Sequence, residues 1–229
     1  MARAAEVTPI LVVFDLDGTL INSRTDLARS TNEMLVSLGA YPLDEDLVAS
    51  FVGDGARMLV GRALEAASLP GESVDRALAS FLEIYNRRLL DVTRPYDGID
   101  DVVGEAGRAG AVLGVITNKP QAPTDRLLDA FGLAPHFRWV IGGDTPFGRK
   151  PDPSSVIWMM REAGVDPLRT LFVGDSPIDA ETSRAAGTHF CLAAYGFGQA
   201  REATTLLPDE FRAMTPRDIT VAIDLMRMS

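Results

Sequence analysis

The chain has 229 residues, enough for one large domain or a core domain with a smaller insert, and its 46% apolar and 24% charged residues read as a soluble globular protein. A formal net charge of −10 makes nucleic-acid backbones and anionic membranes poor partners. No apolar run is long enough for a membrane helix, no signal-peptide stretch precedes Asp15, and the single Cys191 has no partner for a disulfide, so a cytoplasmic setting is expected.

Taken in order, the first predicted strand covers residues 10–15 and runs straight into Asp15-Leu16-Asp17-Gly18-Thr19. A long segment without strand character follows. Leu27, Thr31, Met34, Leu35 and Leu38 lie on one helical stripe, and Val74, Leu78, Phe81, Leu82, Tyr85 and Leu89 lie on another. Asn22 and Ser23 are candidate caps for the first of these helices, and Gly39 ends it. Pro95-Tyr96-Asp97-Gly98 reads as the turn that closes the segment. Residues 21–94 are therefore expected to form a helical insert, with 1–20 and 95–229 as the core. Further strands are predicted at 112–117, 139–142, 170–174 and 189–193, with helices at 123–131, 153–163, 178–186 and 216–228. Strands alternating with helices predict an α/β fold, a parallel sheet covered on both faces.

Ligands of open α/β sheets bind beyond the carboxyl ends of the strands. Those positions carry Asp15 and Asp17, then Thr117-Asn118-Lys119, then Lys150-Pro151, then Gly174-Asp175-Ser176 with Asp179 one helical turn on. The chain has 20 arginines but only two lysines, and both fall in this set. Clustered carboxylates repel one another unless a cation joins them, and a hard divalent ion with oxygen ligands, Mg²⁺, is the expected solution. Gly18 permits a turn whose backbone N–H groups are expected to cradle a phosphate.

These motifs, in this order across essentially the whole chain, resemble the haloacid dehalogenase superfamily. The insert resembles its α-helical cap, and residues 51–60, FVGDGARMLV, look most like the phosphoglycolate phosphatase family. The resemblance implies a Rossmann-like three-layer core and a Mg²⁺-dependent phosphomonoester hydrolase working through an aspartyl-phosphate. It implies Asp15 as nucleophile, Asp17 as general acid/base, and Lys150 as the neutraliser of phosphate charge. Thr117, Asn118 and Lys150 would bind phosphate; Asp15, Asp175 and the Asp17 backbone carbonyl would hold Mg²⁺; Gly18, Thr19 and Asp179 would support them. The implied substrate is a small phosphorylated metabolite, 2-phosphoglycolate first, bound by a monomer or homodimer. Phosphosugar phosphatases, a phosphosugar mutase and a pyrophosphatase share the motifs.

Plainer readings stand beside these. The Asp15–Asp17 pair can be a strand-ending turn, although a calcium loop of the EF-hand type is excluded because the glycine comes fourth. Asp179 can serve a helix dipole, and Lys119 is as readily a loop residue as a site residue. In the insert, Gly53-Asp54-Gly55 can be a simple helix start or a loop that closes over the site. Arg57 beyond it is a candidate for the organic part of an anionic substrate. Asp144, Ser176, His136 and His189 are expected to be structural. A dehalogenase would have no use for Asp17, a phosphonate hydrolase would need a lysine in the insert, and a receiver domain would place its acceptor aspartate mid-chain.

Overall fold

Four apolar residues in succession, Leu11–Phe14, form β1, and all four are buried. Such a strand has no solvent face, so it belongs in the middle of a sheet covered on both sides. The computed structural model describes residues 9–69, 71–197 and 204–228; Arg3 and its neighbours lie outside the described residues. After β1 the chain forms a two-residue strand, β2 (Ile21–Asn22), which pairs antiparallel with β3 (Arg94–Pro95). Between them lie α1 (Arg24–Ser37), α2 (Glu45–Ala49), α3 (Ala56–Ala66) and α4 (Val74–Arg88).

The predicted stripes are the packed faces of α1 and α4. Leu27, Met34 and Leu35 on α1 and Phe81 and Tyr85 on α4 are buried in one apolar cluster. Burying a side chain of this size fully contributes about 1.5–3 kcal/mol. Gly39 has φ +82° and stops α1 as expected. Ser23 holds the N-cap position, but its hydroxyl turns away from the helix amides and donates to Asp17. The buried Asp26 of α1 accepts from the Val92 and Thr93 amides at 3.0 and 2.8 Å and from the Thr93 hydroxyl at 2.6 Å, pinning the chain just before β3.

The main sheet is built from β1, β4 (Val112–Ile116), β5 (Trp139–Ile141), β6 (Thr170–Gly174), β7 (His189–Ala193) and β8 (Phe211–Ala213). All its pairings are parallel, in the order β5-β4-β1-β6-β7-β8. Side-chain alternation divides the interior. Val12, Phe14 and Val115 face one cluster with α5 (Ile99–Arg108), α6 (Gln121–Ala130) and α9 (Asp218–Met228). Leu11, Val13 and Phe172 face the other with α7 (Ser154–Ala163) and α8 (Pro177–Ala186). The result is a three-layer α/β fold with β1 at its centre.

Several boundaries differ from the sequence reading for local reasons. Asp15, Thr117 and Gly142 fall just past their strands, where the chain leaves the ladder. α6 begins at Gln121 because proline is tolerated in a first turn, and Pro123 lies there. α9 begins at Asp218, whose carboxylate accepts from the Met214 and Thr215 amides at 2.8 Å each. The β2–β3 ribbon, α5 and β8 were not predicted.

Candidate active site

Parallel register aligns the functional residues. Phe14 lies opposite Val115 of β4 and Val173 of β6, so Asp15, Thr117 and Asp175 emerge together at the carboxyl edge. The Asp15 amide still donates to the Val173 carbonyl at 2.9 Å. The loop after Asp15 then closes on itself. Thr19, Leu20 and Ile21 all donate to the Leu16 carbonyl, at 3.2, 2.9 and 3.1 Å, and the Gly18 amide donates to Ile21 at 2.9 Å. These amides are consumed by the turn, which corrects the expectation that they cradle a ligand. Gly18 is required for two other reasons. Its φ is +85°, and a Cβ there would collide with the Asp175 carboxylate.

Lys150 is buried beneath this edge. Its ammonium lies 2.7 Å from Asp15 Oδ1 and donates to Asp179 Oδ1 at 2.6 Å. The other Asp179 oxygen accepts from the Ser176 hydroxyl at 2.6 Å and its amide at 3.1 Å, a capping box that opens α8. Asp179 thus serves the helix start and Lys150 at once. The Asp15, Asp175 and Asp179 carboxylates each bring an oxygen within 4.8 Å of the others, all buried. Both Asp179 oxygens are taken, whereas Asp15 Oδ1 has no aligned hydrogen-bond donor. This hard-oxygen set suits a divalent cation at Asp15 and Asp175.

The energetics point the same way. Burial pushes the Asp15 carboxyl up to about 7, with Lys150 opposing the rise and Asp179 adding to it. Asp175 is held well above the usual carboxylate range by burial and by the neighbouring Asp179 and Asp15. Burial alone would lower the Lys150 ammonium, but Asp15 and Asp179 outweigh it and the net direction is upward.

The second lysine makes a parallel arrangement. Lys119 donates to Asp17 at 2.8 Å on Oδ2 and 3.1 Å on Oδ1, and to the Tyr85 hydroxyl of α4 at 2.7 Å. Ser23 donates to Asp17 Oδ1 at 2.5 Å. Asp17 is therefore held from the core by Lys119 and from the start of α1 by Ser23, and its carboxylate stands apart from the three-carboxylate cluster. Burial, against Lys119, pushes the Tyr85 hydroxyl up to about 12, so it keeps its proton at neutral pH.

A cavity of about 280 Å³ joins these groups. Asp15, Asp17, Thr117, Lys119 and Asp175 line its floor; Leu27, Val52, Leu59, Phe81 and Tyr85 line the side formed by α1–α4 and their loops. Gly53 and Gly55 lie on its wall, while Asp54 turns away to pair with Arg62. Asn118 lines it too, but its side chain is committed elsewhere: Nδ2 donates to the Gly53 and Lys150 carbonyls at 2.9 and 3.1 Å, and Oδ1 accepts from the Lys150 amide at 2.9 Å. It is a stitch between the 53–55 loop and the Lys150 loop rather than a free donor. Arg57 is not brought to the cavity. It is half exposed on α3 and paired with Asp75 of α4. Asp144 accepts from the Gln121 amide at the start of α6, a structural role as expected.

Sequence comparisons agree with this geometry. A family model described as haloacid dehalogenase-like hydrolase matches residues 12–193. The chain belongs to that family. It is 40% identical over 216 residues to phosphoglycolate phosphatase 1 of Pseudomonas aeruginosa and 39% identical over 216 residues to a phosphoglycolate phosphatase of Pseudomonas putida. Each match covers 91% of this chain and 79% of the relative. A solved structure from Haemophilus somnus, described as a predicted phosphoglycolate phosphatase, superposes with a TM-score of 0.83 at 30% identity, over 93% of this chain and 97% of that one. Family membership and these relatives make the chain an enzyme of phosphatase type. No helix among the described residues is long and apolar enough to cross a membrane.

Proposed function

We propose that the protein is a cytoplasmic Mg²⁺-dependent phosphomonoesterase that hydrolyses 2-phosphoglycolate to glycolate and phosphate through an aspartyl-phosphate on Asp15. The observation that carries the reading is the buried meeting of Asp15, Lys150, Asp175 and Asp179, with Asp15, Asp175 and Asp17 on the floor of one cavity. The substrate comes from the relatives' names, and the size of the cavity supports a small ester.

In this reading an Asp15 carboxylate oxygen attacks phosphorus, the ester P–O bond breaks, and Asp17 gives its proton to the departing alkoxide. A water then attacks the phosphoryl group, giving its proton to Asp17, and the P–O bond to Asp15 breaks. Lys150 carries positive charge to the phosphoryl oxygens, and Thr117 lines the same pocket. Asp179 keeps Lys150 in place. Asp15 and Asp175, with the Asp17 carbonyl, would hold Mg²⁺, which when bound neutralises phosphate charge. Residues 21–94 act as a cap that keeps bulk water from the intermediate. Purified protein with Mg²⁺ is expected to release phosphate from a panel of small phosphate esters, with 2-phosphoglycolate giving the highest kcat/KM, and to stop when the metal is chelated. Release from no ester of the panel would contradict the reading.

A further inference from the structure

Between Lys119 and Tyr85 the direction of the hydrogen bond is fixed by chemistry. An ammonium has no acceptor, so Lys119 must donate and the Tyr85 oxygen must accept. The tyrosine's own hydrogen is left over, and among the described residues no hydrogen bond that it donates is seen. Tyr85 is buried, stacked on Phe81 with ring centroids 5.7 Å apart, and on the cavity wall. A buried tyrosine hydroxyl normally finds a partner for its hydrogen. The remaining side chains that α1–α4 and their loops give to the cavity are apolar apart from Asn86, which is exposed.

Position says what that partner is. Asp17 lies 2.8 Å from Lys119, and Lys119 lies 2.7 Å from the Tyr85 hydroxyl. Asp17 and the Tyr85 oxygen are thus within about two hydrogen-bond lengths of each other, and an ester oxygen taking its proton from Asp17 lies at most one further hydrogen bond away. A carboxylate two bonds beyond that oxygen falls within reach of the tyrosine hydrogen. Accepting from an ammonium also polarises the hydroxyl and strengthens its donation to an anion.

We infer that Tyr85 is the leaving-group selector: its hydroxyl donates to the carboxylate of a phosphate ester of a 2-hydroxy acid, so that the insert recognises this substrate class through one α4 side chain. The inference rests on the phosphatase reading above and names the residue that gives it specificity.

Ethyl phosphate tests this cleanly, because it is 2-phosphoglycolate with a methyl group in place of the carboxylate. With Mg²⁺ present, the wild-type protein is expected to favour 2-phosphoglycolate in kcat/KM by at least about 10-fold, the worth of one hydrogen bond to a charged group. Tyr85→Phe keeps the stacked ring and removes one oxygen. It is expected to lower kcat/KM for 2-phosphoglycolate by about 10- to 100-fold, mainly in KM, while ethyl phosphate changes by less than about 3-fold. Equal losses on both esters would make Tyr85 only a prop for Lys119 and overturn the inference, as would no loss on 2-phosphoglycolate. Should Tyr85→Phe not fold, the wild-type preference decides alone. A wild-type enzyme that takes both esters equally keeps the phosphatase reading and loses the selector; one that takes neither loses both.

Discussion

The two lysines of this chain make the same motif in two different places. Lys150 bridges Asp15 and Asp179; Asp15 follows β1, Lys150 lies in the loop between β5 and α7, and Asp179 lies in the first turn of α8. Lys119 bridges Asp17 and Tyr85, and the tyrosine comes from α4, part of the insert. The first cluster is complete within the core. The second exists only when the helices sit on the core. The comparison separates a charged cluster fixed within the core, which the proposed mechanism uses for the phosphoryl group, from a second cluster that ties Asp17 to a side chain of the insert.

Substitutions can separate the two halves. Asp17→Asn leaves the Lys150 cluster untouched and is expected to lower kcat by about 10²- to 10⁴-fold, and because it takes from the buried Lys119 its carboxylate partner the melting temperature is expected to fall as well. Steady-state kinetics and a thermal melt read both. Asp179→Asn attacks the other half. Lys150 loses one of two buried carboxylate partners and α8 loses the charge of its capping box, so stability is expected to fall by about 1–3 kcal/mol. Denaturant unfolding measures that loss. An unchanged midpoint would mean that Asp179 is not what holds Lys150.

The smallest effect concerns pH. The folded Asp15 carboxyl sits at about 7 against an ordinary 3.8, so between these values the folded chain holds a proton that the unfolded chain has released. Its stabilising contribution in metal-free protein is full at low pH and is lost as pH rises through about 7. A divalent cation meets the ionised carboxylates and restores the loss only there. Added Mg²⁺ is therefore expected to raise the melting temperature more at pH 8 than at pH 5, by about 2–4 °C for each kcal/mol recovered. A shift that is equal at both pH values would argue against a cation at this cluster.

The core was largely legible in the sequence because a strand buried on both faces must be apolar throughout, as residues 11–14 are. The same rule explains what was missed. β8 has an arginine at its centre and only three residues, and the β2–β3 ribbon has two residues a side, too short for any period to show. At the site, Asp15, Lys150, Asp175 and Asp179 were found from their places after successive strands. Arg57 misled because its partner, Asp75, lies on another helix and no local pattern reveals that pairing. Tyr85 went unnoticed as one more member of an apolar stripe. The signal was the tyrosine itself, a ring suited to the core carrying a hydroxyl that needs a partner there. The Gly18 turn misled in the opposite sense, since its amides fold back onto Leu16 and Ile21.

The central claim is a phosphoryl group carried by Asp15. Rapid quenching of the enzyme during turnover of 2-phosphoglycolate, followed by peptide mass mapping, tests it most directly. The account predicts the added mass of one phosphoryl group on the peptide that contains Asp15, absent from Asp15→Asn, which should also release no phosphate. Steady phosphate release with an unmodified Asp15 peptide, or with turnover retained in Asp15→Asn, would contradict it.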